Sequence, residues 1–233
     1  MVNSEKKVLL NPSVSEVSAL GKYIDTFEIP PQLHVQEIEK GPRQNGAFEG
    51  LDFTKNMKYL FVSVEEPLYN DGSRASIHDT SGIARIIKFD MRNKKPIAQY
   101  AYLLEPVAFE PVPKNAFKVN GISDILYLGN DHLLVIERSF SEGRMPCTIK
   151  IFEADLSTAD NINEMESIKS KTAIKMIHKK LLLNMDDLGI YIDNIEGVTF
   201  GPVLPNGKRS LLFVSDDNFD PRAKTQILLF EIN

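Results

Sequence analysis

The chain has 233 residues, 42% of them hydrophobic and 25% charged, so it can bury a core and its composition is not that of a disordered or fibrous protein. A net charge of -5 and a sequence pI near 5.5 argue against a nucleic-acid surface and suit the binding of cations. The lone Cys147 excludes an intramolecular disulfide and a multi-cysteine zinc site, and no apolar run has the roughly 20 residues that a membrane-spanning helix needs.

The chain begins with a segment that does not repeat later. Residues 1–20 are interpreted as an N-terminal extension that is poorly ordered, and residues 21–233 as one repeating region. Within that region, the alternating run Tyr23–Ile29 predicts the outer strand of a sheet whose inner strands are missing.

Three β-hairpins of similar pattern follow. In each, an apolar run with a Gly or Asn near its start leads through a polar turn into a second, strongly apolar run that ends in acidic residues. The hairpins cover Asn45–Leu68, with its turn at Lys55–Met57; Asn120–Arg138, with its turn at Gly129–Asp131; and Asp193–Phe219, with its turn at Pro205–Gly207.

Further predicted strands complete each unit. They are Arg85–Asp90 and Ile97–Leu104 in the first unit, Thr148–Glu153 and Lys179–Asn184 in the second, and Thr225–Ile232 in the third. Serial four-stranded antiparallel units are typical of propeller blades. The sequence therefore predicts an all-β fold, an incomplete β-propeller of about three to four blades. The long loops between strands include Ala159–Ser170, for which we considered a short helix.

Three blades are too few to close a ring, since propellers have about four to eight. We therefore expect that the chain is part of a longer propeller, that it completes a ring with another chain, or that it forms an open stack of sheets. In each case the two outermost blade faces of an isolated chain would be apolar and exposed, which predicts self-association.

Acidic residues occupy matching places in the three hairpins. Counting from the middle of each turn pairs Glu49 with Glu65, Asp124 with Glu137, and Glu196 with Asp216, each pair opposite or nearly so across its hairpin. Like charges facing each other across strands repel, and a bound cation would offset that repulsion.

Calcium suits such a site because it prefers carboxylate and amide oxygens. The candidate metal ligands are Glu49, Asp124, Asn194, Glu196, Asp216, Asp217 and Asn218. The competing interpretation is that the acids accept backbone hydrogen bonds at strand ends, or pair with Arg74, Arg85 or Arg138. A β-bulge would also break the alignment.

Other chemistries lack their motifs. The sequence contains neither the Gly-x-Ser-x-Gly elbow of an α/β-hydrolase nor a Gly-x-x-x-x-Gly-Lys-Ser/Thr phosphate loop. The four histidines are scattered without metal-ligand spacing.

Several linked motifs resemble those of the phytase-like family, whose members are described as having esterase-like activity. The motifs are Asn45–Leu51, Glu65–Leu68 with Asp71-Gly72, Glu137–Ser139, Asp193–Pro202 and Ser215–Phe219. The resemblance runs from about Gly21 to Ile232 and implies the C-terminal part of a propeller. It departs from the family at the N-terminus, where further blades with Asp-Pro-Glu-Gly motifs are normal.

The resemblance and the paired acidic residues together favour a hydrolase that uses calcium to cleave an ester or phosphoester in a small-molecule substrate. Glu65, Glu137 and Arg138 are the candidate catalytic residues, with Arg138 holding an anionic group of the substrate. The alternative is a non-catalytic propeller that binds a ligand or partner with the same acidic end. Full-length members are expected to be secreted or periplasmic, although Met1–Pro12 lacks the apolar segment of a signal peptide.

Overall fold

The computed structural model describes residues 9–78, 82–169 and 173–232. Regular structure in these ranges consists of β-strands and two short 3₁₀ turns, at Pro31–Leu33 and Met185–Leu188. The strands are β1 (Ser15–Val17), β2 (Tyr23–Thr26), β3 (Phe48–Phe53), β4 (Tyr59–Val64), β5 (Ile83–Asp90), β6 (Lys95–Leu103), β7 (Lys118–Gly129), β8 (His132–Ser141), β9 (Thr148–Asp155), β10 (His178–Asn184), β11 (Ile195–Phe200), β12 (Arg209–Ser215) and β13 (Ile227–Ile232).

The strands form consecutive antiparallel sheets in which each strand pairs with the next one along the chain. Blade 1 is β3-β4-β5-β6, blade 2 is β7-β8-β9-β10, and blade 3 is β11-β12-β13, while β1 and β2 form a separate hairpin. These sheets do not close into a barrel within the described residues. The fold is therefore the predicted all-β, partial propeller, and the strands expected in each unit are confirmed.

Turn chemistry explains the three inner hairpins. Asn130 and Asp131 both have positive φ, 52° and 58°, which is the requirement of a two-residue type I′ turn between β7 and β8. Gly207 supplies φ 82° in the turn before β12, and Met57 adopts φ 56° in the turn before β4. Asparagine, aspartate and glycine tolerate this backbone region best, which explains the turns of the second and third hairpins. In the first hairpin Met57 takes the same region, and the turn lies where the sequence predicts it.

Successive blades pack face to face through apolar side chains. One core lies between blades 1 and 2, and a second lies between blades 2 and 3. The first core includes Phe61, Ile86, Tyr102, Ile125, Leu133, Val135 and Ala154, and the second includes Leu134, Ile136, Ile149, Ile151, Val198, Phe213 and Phe230. Strands β7 and β8 of blade 2 thus direct side chains into both cores, as a sheet buried on both faces requires.

The outer face of blade 1 is covered by the N-terminal segment. Val14, Phe27 and Leu33 are buried against apolar side chains of β4 and β5. Strand β2 pairs with β1 alone, so the prediction that Tyr23–Ile29 is the outer strand of a blade is wrong. The expectation that this face is exposed is also wrong, because isolated apolar residues of an irregular segment fill it.

The outer face of blade 3 is open, as expected. In the ladder of β12 and β13, Ile227 pairs with Val214 and takes the place that Ile86 and Ile151 take in blades 1 and 2. Ile86 and Ile151 are 0% and 3% exposed in the cores between blades, whereas Ile227 is 74% exposed. Blade 3 therefore presents to solvent the kind of face that blades 1 and 2 bury.

Two long loops lie against blade 1. The loop after β9 lacks the helix considered for Ala159–Ser170; residues 159–169 are irregular, and Ser170 lies outside the described residues. Ile162 and Ile168 of this loop pack with Ala101, and the Ile162 N–H donates to the Gln99 carbonyl at 2.8 Å.

The loop after β4 is fixed by a buried ion pair. Arg85 donates from Nε and Nη2 to the Asp71 carboxylate at 2.6 and 2.8 Å, and both side chains are fully buried. Arg85 also donates to Gln99 Oε1 at 3.0 Å, and Asp71 accepts the Ile168 N–H at 3.0 Å. The pair therefore joins both long loops to β5, close to the acidic end of β4.

We predict that Arg85→Met lowers the free energy of unfolding by about 3–5 kcal/mol, because the Asp71 carboxylate then stays buried without its cation. Urea unfolding measures the change. Arg92→Met is the matched control, since Arg92 lies exposed in the turn between β5 and β6. An equal, small effect of both substitutions would show that the buried pair does not hold the loops.

Candidate functional site

The first strands of the three blades each carry a β-bulge at the same place. The pairing of β3 with β4 shifts between Phe48 and Leu51, that of β7 with β8 between Ile122 and Asp124, and that of β11 with β12 between Ile195 and Gly197. The residues without a ladder partner at these shifts are Glu49 and Gly50 in β3, Ser123 in β7 and Glu196 in β11. A bulge re-aims side chains at a sheet end, which is why it is common beside functional sites.

The bulges correct the expected alignment of the acidic pairs. The residue equivalent to Glu49 and Glu196 is Ser123, so Asp124 lies one position further along its strand. Asp124 pairs with Ile136, and Glu137 pairs with Ile122, so these two acids do not face each other.

The other two acidic pairs are displaced in the same way. The Glu65 N–H donates to the Ala47 carbonyl at 2.7 Å, and the Asp216 N–H donates to the Asn194 carbonyl at 2.9 Å. Glu65 is therefore not paired with Glu49, nor Asp216 with Glu196. In the sequence, the bulges in blades 1 and 3 lie at the dipeptide Glu-Gly, which follows Phe48 and Ile195. The matching dipeptide in blade 2 is Ser-Asp, which follows Ile122.

Arg138 of blade 2 faces carboxylates from blades 1 and 3. Its Nη2 lies 3.0 Å from Glu65 Oε1 of blade 1 and 3.8 Å from Glu196 Oε1 of blade 3. Glu49 is close enough for Arg138 and Glu196 to influence its pKa. The structure thus brings together four predicted site residues around one guanidinium, which we call the Arg138 cluster: Glu49, Glu65, Arg138 and Glu196.

Glycine permits this close approach of blades 1 and 2. A Cβ added to Gly121 would lie 2.7 Å from Glu65 Cγ and 2.9 Å from the Glu65 carbonyl oxygen. The next residue, Ile122, donates its N–H to that carbonyl at 3.1 Å. Backbone contact at a residue without a side chain therefore holds Glu65 beside Arg138.

Burial sets the protonation of the cluster. Burial raises the pKa of Glu65 from 4.5 to about 7, although the positive charge of Arg138 acts in the opposite direction. The pKa of Glu49 is also raised, first by burial and then by the neighbouring carboxylates of Glu196 and Asp124. Glu65 is therefore poised to exchange a proton near neutral pH, which is a property expected of a general acid or base.

Glu137 has a different environment from Glu65. It is 1% exposed. Its carboxylate accepts four hydrogen bonds, from Tyr102 Oη at 2.9 Å, the Glu105 N–H at 2.9 Å, Asn120 Nδ2 at 2.7 Å and Lys179 Nζ at 2.6 Å. These bonds join β8 to neighbouring strands and the loop after β6. Its predicted catalytic role stays a prediction, and the contacts seen are those of a structural carboxylate.

Asp124 connects blades 2 and 3. Its Oδ2 accepts the Val198 N–H at 2.8 Å, and its Oδ1 accepts the Ile125 N–H at 2.8 Å. Burial raises the pKa of Asp124 to about 6, and backbone hydrogen bonds from Val198, Ile125 and Leu51 oppose that shift. Asp52 makes a matching bond from blade 1 to blade 2, accepting the Tyr127 N–H at 2.6 Å. Sequence reasoning missed Asp52, because nothing in its neighbours distinguishes it from a solvent-facing acid.

The remaining predicted ligands lie in the loops around blade 3. Asn194 donates from Nδ2 to Glu196 Oε1 at 2.8 Å. Asp216 accepts the Asn218 N–H at 3.2 Å, and Asp217 accepts the Phe219 N–H at 2.9 Å and the Thr225 hydroxyl at 3.1 Å. These carboxylates thus stabilise their own turn.

A cavity of about 250 Å³ lies between the ends of blades 2 and 3. Arg138, Cys147, Asn194 and Asp216 are among the residues that line it, together with Met145. We call it the acidic cavity. Burial raises the pKa of the Cys147 thiol, so this cysteine is a protonated wall residue at neutral pH. Arg138 Nε is buried and has no hydrogen-bond partner among the described residues.

No set of three or more His, Cys, Asp and Glu side chains within 9–78, 82–169 and 173–232 is arranged to hold a metal ion. The oxygens of Glu65 and Glu196 face the guanidinium of Arg138, and those of Asp216 and Asp217 bind their own turn. The arrangement as described therefore fits a guanidinium held by carboxylates better than it fits a bound dication.

No helix of the described part of the chain is both long and apolar enough to cross a membrane.

The pKa of Glu65 makes the stability of the protein depend on pH. The pKa of Glu65 is about 7 in the folded state and 4.5 ordinarily, so folding favours the protonated carboxyl. The stability that protonated Glu65 contributes is therefore fully present below pH 4.5 and is lost as the pH rises through 7. Glutamine cannot ionise, so Glu65→Gln removes that loss. We expect the free energy of unfolding of the wild type, relative to Glu65→Gln, to fall by on the order of 3 kcal/mol between pH 4.5 and pH 8.

Urea unfolding at several pH values measures this difference. Glu39→Gln is the control, because Glu39 is exposed and lies outside the Arg138 cluster. A difference between wild type and Glu65→Gln that is the same at every pH would contradict the assignment.

Comparison with known proteins gives two matches. The family model "Phytase-like", described as "Esterase-like activity of phytase", matches residues 1–219. An "Uncharacterized secreted protein" of Arthroderma benhamiae is 27% identical over 122 residues, which cover 51% of this chain and 23% of that protein. No solved structure matches the chain. The match over most of the sequence, together with the blades of the fold, shows that the chain belongs to the Phytase-like family.

Proposed function

We propose that the chain hydrolyses an ester bond at the Arg138 cluster. The observation that carries the proposal is the buried Glu65 carboxyl, with a pKa of about 7, held 3.0 Å from a guanidinium where three blades meet. A proton-exchanging group beside a fixed positive charge is what hydrolysis of a carbonyl or phosphoryl ester requires. Membership of a family described by esterase-like activity supports the same reaction class.

Each residue has a chemical role in this proposal. The ionised carboxylate of Glu65 takes a proton from water as the water oxygen adds to the ester centre. The bond to the leaving oxygen then breaks, and the protonated Glu65 returns the proton to the leaving alcohol. Arg138 donates N–H groups to the oxygen that becomes negative, and Glu49 and Glu196 orient the guanidinium.

Calcium dependence is a separate proposal that no step of this reaction uses. Its support is the number of carboxylate and amide oxygens at this end of the sheets: Glu49, Glu196, Asp216, Asp217, Asn194 and Asn218. Asp124, the seventh predicted ligand, uses both of its oxygens to bind backbone N–H groups, which disfavours it. Where calcium binds, it would neutralise carboxylates and polarise a substrate oxygen.

A non-catalytic binding module is the second candidate. The observation that favours it is the acidic cavity itself, which is lined by side chains from two blades and would also serve recognition of a ligand. The Arthroderma protein is described as secreted, and we extend secretion to full-length relatives of this chain as a proposal.

Hydrolysis of p-nitrophenyl acetate and p-nitrophenyl phosphate, with and without calcium, tests the proposed reaction. We expect Glu65→Gln to lower kcat/KM by about 10²–10⁴-fold, which is the usual contribution of a general acid or base. The kcat/KM of the wild type should rise with pH as Glu65 ionises near 7, and the variant should lack that limb. Calcium dependence predicts loss of activity in a chelator and its return with added calcium.

Glu39→Gln serves again as the control, and the unfolding curves show whether each variant is folded. A purified, folded wild type that cleaves neither ester under any metal condition would contradict the proposed hydrolysis and favour the binding module. Activity that survives Glu65→Gln unchanged would remove Glu65 from the mechanism.

We also propose that the chain associates with a second copy through the open face of blade 3. The exposed Ile227 and Leu229 lie on one face with Val214 and Leu212 in the pairing of β12 and β13. The matching outer face of blade 1 is already covered by Val14, Phe27 and Leu33, so head-to-tail packing is blocked. Two copies of the same apolar face are self-complementary about a two-fold axis.

Light scattering over a concentration series tests this association. The mass should rise above the 26.3 kDa of one chain, and Ile227→Lys should restore the monomer because it places a charge in the interface. Val203→Lys is the control, since Val203 is equally exposed but lies in the loop after β11. A mass of 26.3 kDa at every concentration, or an equal effect of both substitutions, would refute the proposal.

A further inference from the structure

An apolar groove lies next to the acidic cavity. It has a volume of about 390 Å³ and is formed by the loop after β6, the loop between β8 and β9, and the segment between β10 and β11. Met185 and Ile192 are buried at its base, while Phe109, Met145 and Ile190 are more than one-third exposed. Several large apolar side chains that stay exposed around one concavity are typical of a ligand site rather than of ordinary surface.

Two hydrogen bonds within the protein hold polar side chains of the groove. The Thr148 hydroxyl donates to Asp186 Oδ2 at 2.8 Å, and Arg144 Nε donates to the Glu110 carbonyl at 3.0 Å. The large exposed hydrophobic side chains around the groove are Phe109, Met145 and Ile190. The groove therefore suits an apolar group, whose burial needs no hydrogen bonds.

The groove and the acidic cavity share a wall. Met145 lines both of them, Pro146 lines the groove, and Cys147 lines the cavity beside Arg138. Three consecutive residues thus separate the two spaces. A molecule held at Arg138 can extend past Met145 into the groove.

Charge restricts what binds at the cavity end. Asp193, Asp216, Asp217 and Asp220 line the acidic cavity, and Arg138 is its one cation-bearing lining residue in the described part of the chain. A substrate with several phosphate groups would face more carboxylates than cations there. A neutral ester avoids this repulsion and still offers an oxygen to Arg138.

We infer that the substrate is an uncharged carboxylic ester with an apolar arm that lies in the groove. The inference rests on the proposed hydrolysis and names its substrate class. The ester group lies at the Arg138 cluster and the arm passes Met145 towards Ile190. Cleavage adds water across the acyl–oxygen bond and releases a carboxylic acid and an alcohol.

A series of p-nitrophenyl esters tests the substrate class. We expect kcat/KM to rise at least about tenfold from acetate to octanoate, mostly through KM, because each buried methylene favours binding by up to about fourfold. Ile190→Asp should reduce the octanoate-to-acetate ratio at least fivefold. Val203→Asp, an exposed valine outside the groove, should keep the ratio of the wild type. No dependence on chain length, or a preference for p-nitrophenyl phosphate, would overturn the inference.

A binding measurement separates the groove from the reaction. Nile red, a neutral dye that fluoresces in apolar sites, should bind and be displaced by ethyl octanoate. The measurement uses an Ile227→Lys background, because the open face of blade 3 offers a second apolar surface. Adding Ile190→Asp should weaken dye binding at least fivefold. Dye binding that Ile190→Asp weakens, without ester hydrolysis, would support the groove as an apolar site and refute the proposed hydrolysis. Ester hydrolysis without dye binding that depends on Ile190 would support the hydrolysis and refute the groove.

Discussion

The apolar packing of one blade on the next is the interaction on which the rest of the structure depends. Blade 2 buries both of its faces, one against Phe61 and Ile86 of blade 1 and the other against Phe213 of blade 3. This packing brings the first strands of the blades side by side. Gly50 therefore lies against the backbone of β7, and a Cβ added to it would come within 2.6 Å of the Ile125 nitrogen. Carboxylates of Asp52 and Asp124 then bind backbone N–H groups of the next blade.

The site is a consequence of that packing. Because the first strands meet at one end of the sheets, Glu65 of blade 1 and Glu196 of blade 3 reach the Arg138 guanidinium of blade 2. The same contact removes Glu65 from water, and its pKa rises to about 7. Stability and reactivity are therefore coupled here. The burial that holds the blades together destabilises the ionised form of Glu65, and the same effect places the pKa of Glu65 near neutrality.

The sequence predicted much of this and failed at identifiable points. Alternating apolar residues and turns such as Asn130-Asp131 specify strands and hairpins locally, so the blades were predictable. The bulge at Glu49, Ser123 and Glu196 was missed, because an extra residue shifts the register without altering the apolar pattern. Its one local sign, the dipeptide that begins at each of these residues, is recognised only once the strand pairing is known. The cover over blade 1 was missed for another reason. Val14 lies in no periodic run, and the run that contains Phe27 was interpreted as a strand of a missing blade.

The central claim is that Glu65 titrates near neutrality because it is buried beside Arg138. Carboxyl ¹³C NMR of the folded protein, with Glu65→Gln to assign the resonance, measures that pKa directly. We expect a value of about 7 in the wild type and a higher one in Arg138→Met, because the lost guanidinium is what opposes the effect of burial. A resonance that titrates near 4.5 and is unaffected by Arg138→Met would contradict the account.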